Sequence, residues 1–341
     1  MSLSNEDDHN GQHGKNNCDA NDNRNATRKS GSQRLLNWSM LEDPVILESC
    51  RTSLRENGAM VLRDLATPDG LEKLKAEVLS APYNESKQYY TPWQDQGDLA
   101  NYAASHPRNF RMHSSAAFVG RKTLEEKTGD RLCVSVYNEK ETRCGIEEKK
   151  SCGNENSNAN YNGNGNETNR LLRFLSFVAD KQLYQSVDEN GSIYSYRIHS
   201  EHNPAWHFDE SPYTAILYLE NPEGGGEFEY VPWCRPTTSK DDPKGHEIVQ
   251  RLLMNNDEDK ESGGTYSNDD PLVKRIDIEP GSLLFFNGSK SFHRAASITG
   301  STPRVGLVFT FGLSEGFVNS DSVKNSNEWD PRDATCLVNQ E

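Results

Sequence analysis

The second half of the chain is written as short β-rich runs cut by glycine, proline and asparagine, at residues 193–198, 213–219, 227–231, 275–278, 282–286, 292–298 and 304–311. Repeated short strands with Gly/Pro turns between them indicate an antiparallel β-sandwich or jelly roll. Helical signals come earlier. Asp43-Pro44 opens a helix that sets Val45, Ile46, Cys50 and Leu54 at helical spacing until Asn57-Gly58 stops it. Thr67-Pro68-Asp69 has N-cap chemistry, and Leu71, Leu74, Val78 and Leu79 follow on one face. Residues 59–62 read as a strand between them. The expected fold class is mainly β with flanking α.

The 341 residues are 33% hydrophobic and carry a formal charge of -15. So low an apolar fraction places part of the length outside any core. The acidic balance argues against nucleic acid or an anionic membrane as partner, since both select basic surfaces. It leaves room for a locally basic pocket that takes a carboxylated small molecule. No run of 18 apolar residues occurs, so no membrane span is expected. Residues 1–34 lack the apolar stretch of a secretory signal. The cysteines are odd in number, seven, with no C-x-x-C pair, and read as reduced thiols in the cytoplasm. Nothing here sets an oligomeric state.

Three segments are expected to stand outside a single domain spanning 35–317. Residues 1–34 are polar enough to stay a disordered tail. An insertion at about 138–169 has asparagine at every even position from Asn154 to Asn166, which is low complexity rather than structure. A second polar insertion at about 236–270 holds one short helix near Glu247, and 318–341 form a C-terminal tail. Leu171, Leu172, Leu175, Phe177 and Val178 have the spacing of a buried helix. Residues 82–121 look irregular and rich in binding side chains (Tyr89, Tyr90, Trp93, then His106-Pro107-Arg108-Asn109-Phe110-Arg111), as a lid over a small molecule would be. Arg108 and Arg111 read either as a solvated loop or as a carboxylate clamp, because a guanidinium holds a carboxylate through two parallel hydrogen bonds.

The chemistry concentrates in Trp206-His207-Phe208-Asp209 and Ser291-Phe292-His293-Arg294. His207 and Asp209 are two apart, so on an extended strand both leave the same face. A second imidazole from His293 would complete two histidines and one carboxylate on one side of a metal, the facial triad of non-haem Fe(II) oxygenases, with other positions open. An isolated H-x-D is weak; its company strengthens it. If 292–298 and 304–311 form a hairpin centred between Gly300 and Ser301, Arg304 lies opposite Ser297 and shares the face of His293, roughly 13 Å along the strand. A guanidinium there would hold the far carboxylate of a metal-chelating dicarboxylate.

His207-x-Asp209, His293 and Arg304, late in a block of strands, resemble the Fe(II)/2-oxoglutarate-dependent dioxygenases. The runs Ala205-Trp-His-Phe-Asp-Glu210, Gly225-Gly-Glu-Phe-Glu-Tyr-Val-Pro232 and Glu279-Pro-Gly-Ser282, with Phe286-Asn-Gly288 and Phe292-His-Arg294, are similar to the freestanding amino-acid hydroxylases and halogenases of that superfamily. The resemblance implies a double-stranded β-helix (jelly roll, cupin-like) core supported by the N-terminal helices. It implies Fe(II) held by His207, Asp209 and His293, 2-oxoglutarate held by Arg304, and O2 as co-substrate. The implied reaction converts 2-oxoglutarate to succinate and CO2 while hydroxylating an amino acid or amino-acid-derived substrate. In halogenases of the branch a glycine replaces the metal carboxylate, so Asp209 disfavours halogenation. The branch holds the substrate carboxylate with an arginine of a His-Pro-Arg-like loop, which matches Arg108 or Arg111.

Red-algal kainoid synthases, which close a ring on an N-prenylated glutamate, also resemble this branch; Arg108, Arg111 and Arg197 would suit such a polycarboxylate. Two alternatives are a peptide hydroxylase of the same superfamily and a non-catalytic cupin-like binding module. Asn287, beside Phe286, is a further candidate for the substrate pocket. Tyr194, Tyr196 and Trp233 read as core or pocket wall, His199 and His202 as non-ligands, and His246 as solvated.

Overall fold

The computed structural model describes residues 35–93, 101–129, 131–139, 169–239, 241–254 and 270–320. The N-terminal tail, 140–168 of the first insertion, 255–269 of the second and 321–341 lie outside the described residues.

The chain opens with α1 (Pro44–Asn57), β1 (Ala59–Leu62) and α2 (Pro68–Ser80). Asp43 caps α1 by accepting from the Val45 and Ile46 amides, and Gly58 ends it at φ +77°, a left-handed conformation open to glycine. Next come β2 (Asn84–Tyr90), β3 (Met112–Gly120), α3 (Arg121–Lys127), α4 (Leu132–Asn138) and α5 (Arg170–Ala179). The strand-rich part holds β4 (Tyr184–Gln185), β5 (Ile193–Ile198), β6 (Tyr213–Glu220), β7 (Gly224–Gly225) and β8 (Phe228–Val231). After α6 (Pro243–Val249) follow β9 (Lys274–Ile276), β10 (Leu283–Phe286), β11 (Phe292–Ala295), β12 (Ile298–Thr299) and β13 (Arg304–Gly312).

A large antiparallel sheet has the order β1-β10-β6-β13-β5-β3-β2, with β4 beside β13. Facing it are β11-β8-β9 and the short pair β12-β7. This is the double-stranded β-helix, or jelly roll, braced by helices. Strand alternation sorts the side chains into layers. Leu217, Leu283, Phe285, Leu307 and Phe309 leave the large sheet outward and pack with Leu74 and Val78 of α2 and Phe174 and Leu175 of α5. Tyr196, Ile198, Ile216, Tyr218, Phe286 and Val308 point inward to Phe228, Tyr230, Ala295 and Ile298 of the small sheets. A third apolar cluster (Trp206, Phe208, Val231, Ile248, Val249 and Phe292) lies outside the small sheet, under α6.

The structure corrects several expectations. Residues 292–298 and 304–311 do not form a hairpin: β11 pairs with β8, β12 with β7, and β13 with β5 and β6. Burial decides this, because β13 is buried at all nine positions and only the interior of the large sheet covers both its faces. The chain between His293 and Arg304 crosses from the small sheet to the large one. Its turn uses Gly300 at φ +93°, where a Cβ would lie 2.1 Å from the Glu223 carboxylate.

Nor are 82–121 irregular throughout, since they supply β2 and β3. β2 is polar because it is the outermost strand among the described residues, with one side unpaired there. The serines of β3 secure the approach to the site: Ser115 Oγ accepts from the Asn203 amide (2.9 Å) and Ser114 Oγ from that of Ala205 (3.3 Å). His246 is half-buried rather than solvated, edge-on to His106 and Trp93, and Trp233 is exposed rather than core or cavity wall.

Candidate active site

His207 leaves the β3-tethered segment and pairs with His293 of β11 as an isolated antiparallel bridge. Each donates its amide to the other's carbonyl, at 2.9 and 3.0 Å. Directly opposed residues of an antiparallel pair project to one face, so both imidazoles enter the space between the sheets. Trp206 and Phe208 point the other way and pack on Phe292, at ring separations of 5.2 and 4.8 Å. Asp209 returns to the inner face, and its amide donates to the Gly288 carbonyl.

The ligand atoms of His207, Asp209 and His293 lie within 4.8 Å of one another. Each Nε2 stands 3.4 Å from Asp209 Oδ1. Each Nδ1 lies 2.9 Å from a carbonyl, that of Ala205 for His207 and that of Ser291 for His293. A carbonyl only accepts, so the imidazole proton sits on Nδ1 and the Nε2 lone pair is turned toward the carboxylate. Two lone pairs and an anionic oxygen meeting at one point fit a cation. Carbonyl-oriented imidazoles are also how metal-binding histidines are held.

Burial would raise the Asp209 carboxyl, but the positive charge of the His293 and His207 imidazoles, once they are protonated, outweighs it and holds it far below the usual carboxylate range. Burial pushes the His293 imidazole below the ordinary histidine value, against the pull of Asp209. The Phe286 ring stands edge-on to His293 at 4.7 Å, and Phe228 lies at 5.7 Å, keeping that side apolar.

Arg304 begins β13 and is 3% exposed. It projects into the same cavity from the facing sheet, which His207, Asp209 and His293 also line. One guanidinium nitrogen donates to the Tyr218 hydroxyl, and the guanidinium lies 4.8 Å from the Tyr218 ring and 5.3 Å from that of Tyr196. Among the described residues, Arg304 Nε and the Tyr196 hydroxyl are buried without a hydrogen-bond partner. Two unspent donors beside a buried cation fit a carboxylate, because leaving them unpaired costs about 1–3 kcal/mol each. Gly306 makes room for this, since a Cβ there would lie 2.4 Å from the Tyr196 hydroxyl. The cavity measures about 180 Å³, and its remaining wall includes Ser86, Tyr194, Glu210, Thr214 and Asn319.

The other sequence candidates lie elsewhere among the described residues. Arg197 alternates to the outer face of β5, over the Tyr83 ring at 4.1 Å, and does not line the cavity. Arg111 is exposed. Arg108 is fully buried, over Trp93 (5.1 Å) and Tyr102 (5.8 Å), behind the face that carries the triad. Asn287 turns its Oδ1 to the Ser289 hydroxyl and the Lys290 amide, building the turn that presents Gly288. His202 is held by the His199 amide and Glu85. Sequence reasoning had not assigned Tyr218, Thr214 or Gly288 to the site; the Phe286-Asn-Gly288 run was the one signal near any of them.

Residues 164–329 match the family model described as Halogenase D. No curated protein matches the chain. Among solved structures the chain is similar to HygX from Streptomyces hygroscopicus with nickel, 2-oxoglutarate and hygromycin B bound, at 13% identity and a TM-score of 0.45, covering 78% of this chain and 87% of that one. It is similar to the non-heme alpha ketoglutarate dependent epimerase SnoN from nogalamycin biosynthesis at 12% and 0.44, covering 79% and 82%. A 2OG-Fe(II) oxygenase family oxidoreductase from Burkholderia pseudomallei gives 11% and 0.40, covering 79% and 91%.

Proposed function

We propose that the chain is an Fe(II)/2-oxoglutarate-dependent oxidoreductase acting on an unactivated C–H bond of a free amino acid or amino-acid-derived small molecule. One observation carries this reading: three metal-ligand side chains within 4.8 Å of one another share a cavity with a buried arginine on the facing sheet. Fe(II), when bound, would supply the centre at which O2, the oxidant, is activated; one oxygen atom would leave in succinate as 2-oxoglutarate loses CO2, and the other would serve to oxidise the substrate.

The chain's residues do the rest. His207 Nε2, His293 Nε2 and Asp209 Oδ1 hold the metal. Arg304 and the Tyr196 hydroxyl receive the far carboxylate of 2-oxoglutarate, with Tyr218 fixing the guanidinium. Phe228 and Phe286 keep water from one side of His293. Asp209 occupies the position that a halide needs in the halogenases, so the match to a halogenase model does not make this chain one. Glu210 and Asn319 stand in the wall where an amino group would meet an acceptor.

The test is to load the enzyme anaerobically with Fe(II) and 2-oxoglutarate, offer free amino acids, N-alkylated glutamates and peptides, admit O2, and read succinate and product mass. Succinate stimulated by a free amino acid or a glutamate derivative is expected. One added oxygen means hydroxylation, and two lost hydrogens mean ring closure or desaturation. Stimulation by peptides alone would contradict the small-molecule reading.

A further inference from the structure

Asp209 divides its two oxygens between different tasks. Oδ1 faces both Nε2 atoms at 3.4 Å, whereas Oδ2 accepts from the Thr214 hydroxyl at 2.6 Å. Thr214 is the first inward-facing residue of β6, and its hydroxyl lies 3.3 Å from that of Ser211. The carboxylate has little freedom to turn: its own amide is bonded to the Gly288 carbonyl, and the missing Gly288 side chain leaves just enough room for Oδ2.

We infer that Thr214 is a positioning residue that keeps Asp209 a one-oxygen metal ligand. The assignment rests on the metal reading above. Its chemical consequence is specific. A carboxylate free to swing can bind a metal through both oxygens and take an additional coordination position. With Oδ2 engaged by a hydroxyl, the protein contributes three donor atoms, and the remaining positions stay open for a two-point co-substrate and one further ligand. The hydrogen bond also draws charge from the carboxylate and fixes its rotamer, as groups behind metal ligands do elsewhere.

The experiment compares wild type with Thr214→Val, which keeps shape and loses the hydroxyl, and Thr214→Ser, which keeps the hydroxyl. Co(II) affinity is measured by anaerobic calorimetry, and carboxylate coordination is read from the infrared splitting of the Asp209 stretches in the Co(II) protein. Thr214→Val is expected to weaken Co(II) about tenfold and shift the splitting toward two-oxygen ligation, with Thr214→Ser close to wild type. Wild-type affinity and splitting in Thr214→Val would overturn the assignment. An equal loss in Thr214→Ser would also overturn it, by showing that the methyl group matters rather than the hydroxyl.

Should Thr214→Val not fold, Ser211→Ala reads the same chain of hydroxyls. It leaves the Thr214 donor in place and is expected to cost less than about threefold; a tenfold loss there would contradict the assignment. Wild type that takes up no Co(II), and no Fe(II), would instead refute the metal site itself.

Discussion

His207 and His293 form a backbone-paired couple: each amide reaches the other's carbonyl, at 2.9 and 3.0 Å, and their rings lie 4.4 Å apart between centroids. The pairing determines on which side of the small sheet the two imidazoles emerge. A metal site assembled this way depends on β-register, because a one-residue slip would send one ring to the outer face.

Replacing His293 with alanine removes one of the three proposed ligands and the ring that packs on Phe286. Metal binding is expected to fall by at least a hundredfold and turnover to vanish, checked by metal analysis after anaerobic loading. The bridge uses backbone atoms, so a native-like circular dichroism spectrum is expected to survive. Retained stoichiometric Fe(II) would contradict the ligand assignment.

Gly288→Ala tests the crowding at Asp209. A Cβ there would lie 2.1 Å from Oδ2 and 2.7 Å from Asp209 Cβ. Gly288 is not among the residues at positive φ, so the effect is steric rather than conformational. Overpacking of this kind costs about 1–3 kcal/mol and would displace the carboxylate. Thermal unfolding should register the first and metal titration the second; an unchanged metal affinity would show that the carboxylate can shift harmlessly.

Arg304→Ala should act on 2-oxoglutarate and not on the metal. A hydrogen bond to a charged group contributes about 1.5–3 kcal/mol, which corresponds to roughly a ten- to 150-fold rise in KM for 2-oxoglutarate. Arg304→Lys should recover part of this, because an ammonium keeps the charge but not the planar fork. Steady-state kinetics against 2-oxoglutarate, with Fe(II) affinity measured separately, distinguish the two effects. A loss confined to the metal would contradict the role.

The pH dependence has a definite sign. Asp209 and His293 both titrate lower in the folded chain than their ordinary values of 3.8 and 6.5. The folded state then binds fewer protons than the unfolded one, so stability rises with pH across both windows. The His293 contribution is present above pH about 6.5 and is lost as pH falls below it; the Asp209 contribution begins to fall below about pH 4. The melting temperature of the metal-free protein should fall between about pH 7.5 and 5.5, with a shallower slope in His293→Gln. Metal affinity should fall in the same direction, because a cation competes with protons for the imidazoles. A melting temperature that rises toward pH 5.5 would contradict the buried neutral histidine.

What was legible in the sequence were the features that depend on local periodicity. Two-residue alternation separates His207 and Asp209 from Trp206 and Phe208 without knowledge of the fold, and cap chemistry at Asp43 and Thr67 marks two helices. Pairing between distant strands was not legible. Arg304 faces the cavity, yet from the opposite sheet rather than across a hairpin, since the burial of β13 on both faces outweighed the proximity of β11. Arg197 shows the same limit: its chemistry suits a carboxylate, but alternation in β5 turns it to the helical side. Tyr218, Thr214 and Gly288 carry no motif of their own, and their roles arise from the space left between other residues.

The central claim is that His207, Asp209 and His293 hold one ferrous ion in the presence of 2-oxoglutarate. The most direct measurement is an anaerobic titration of the wild type and of Asp209→Ala with Fe(II) and 2-oxoglutarate, followed by visible absorption. The wild type should show a charge-transfer band that requires both additions and saturates at one iron per chain, and Asp209→Ala should need far more iron to show it. No band in the wild type, or an identical titration in the two proteins, would contradict it.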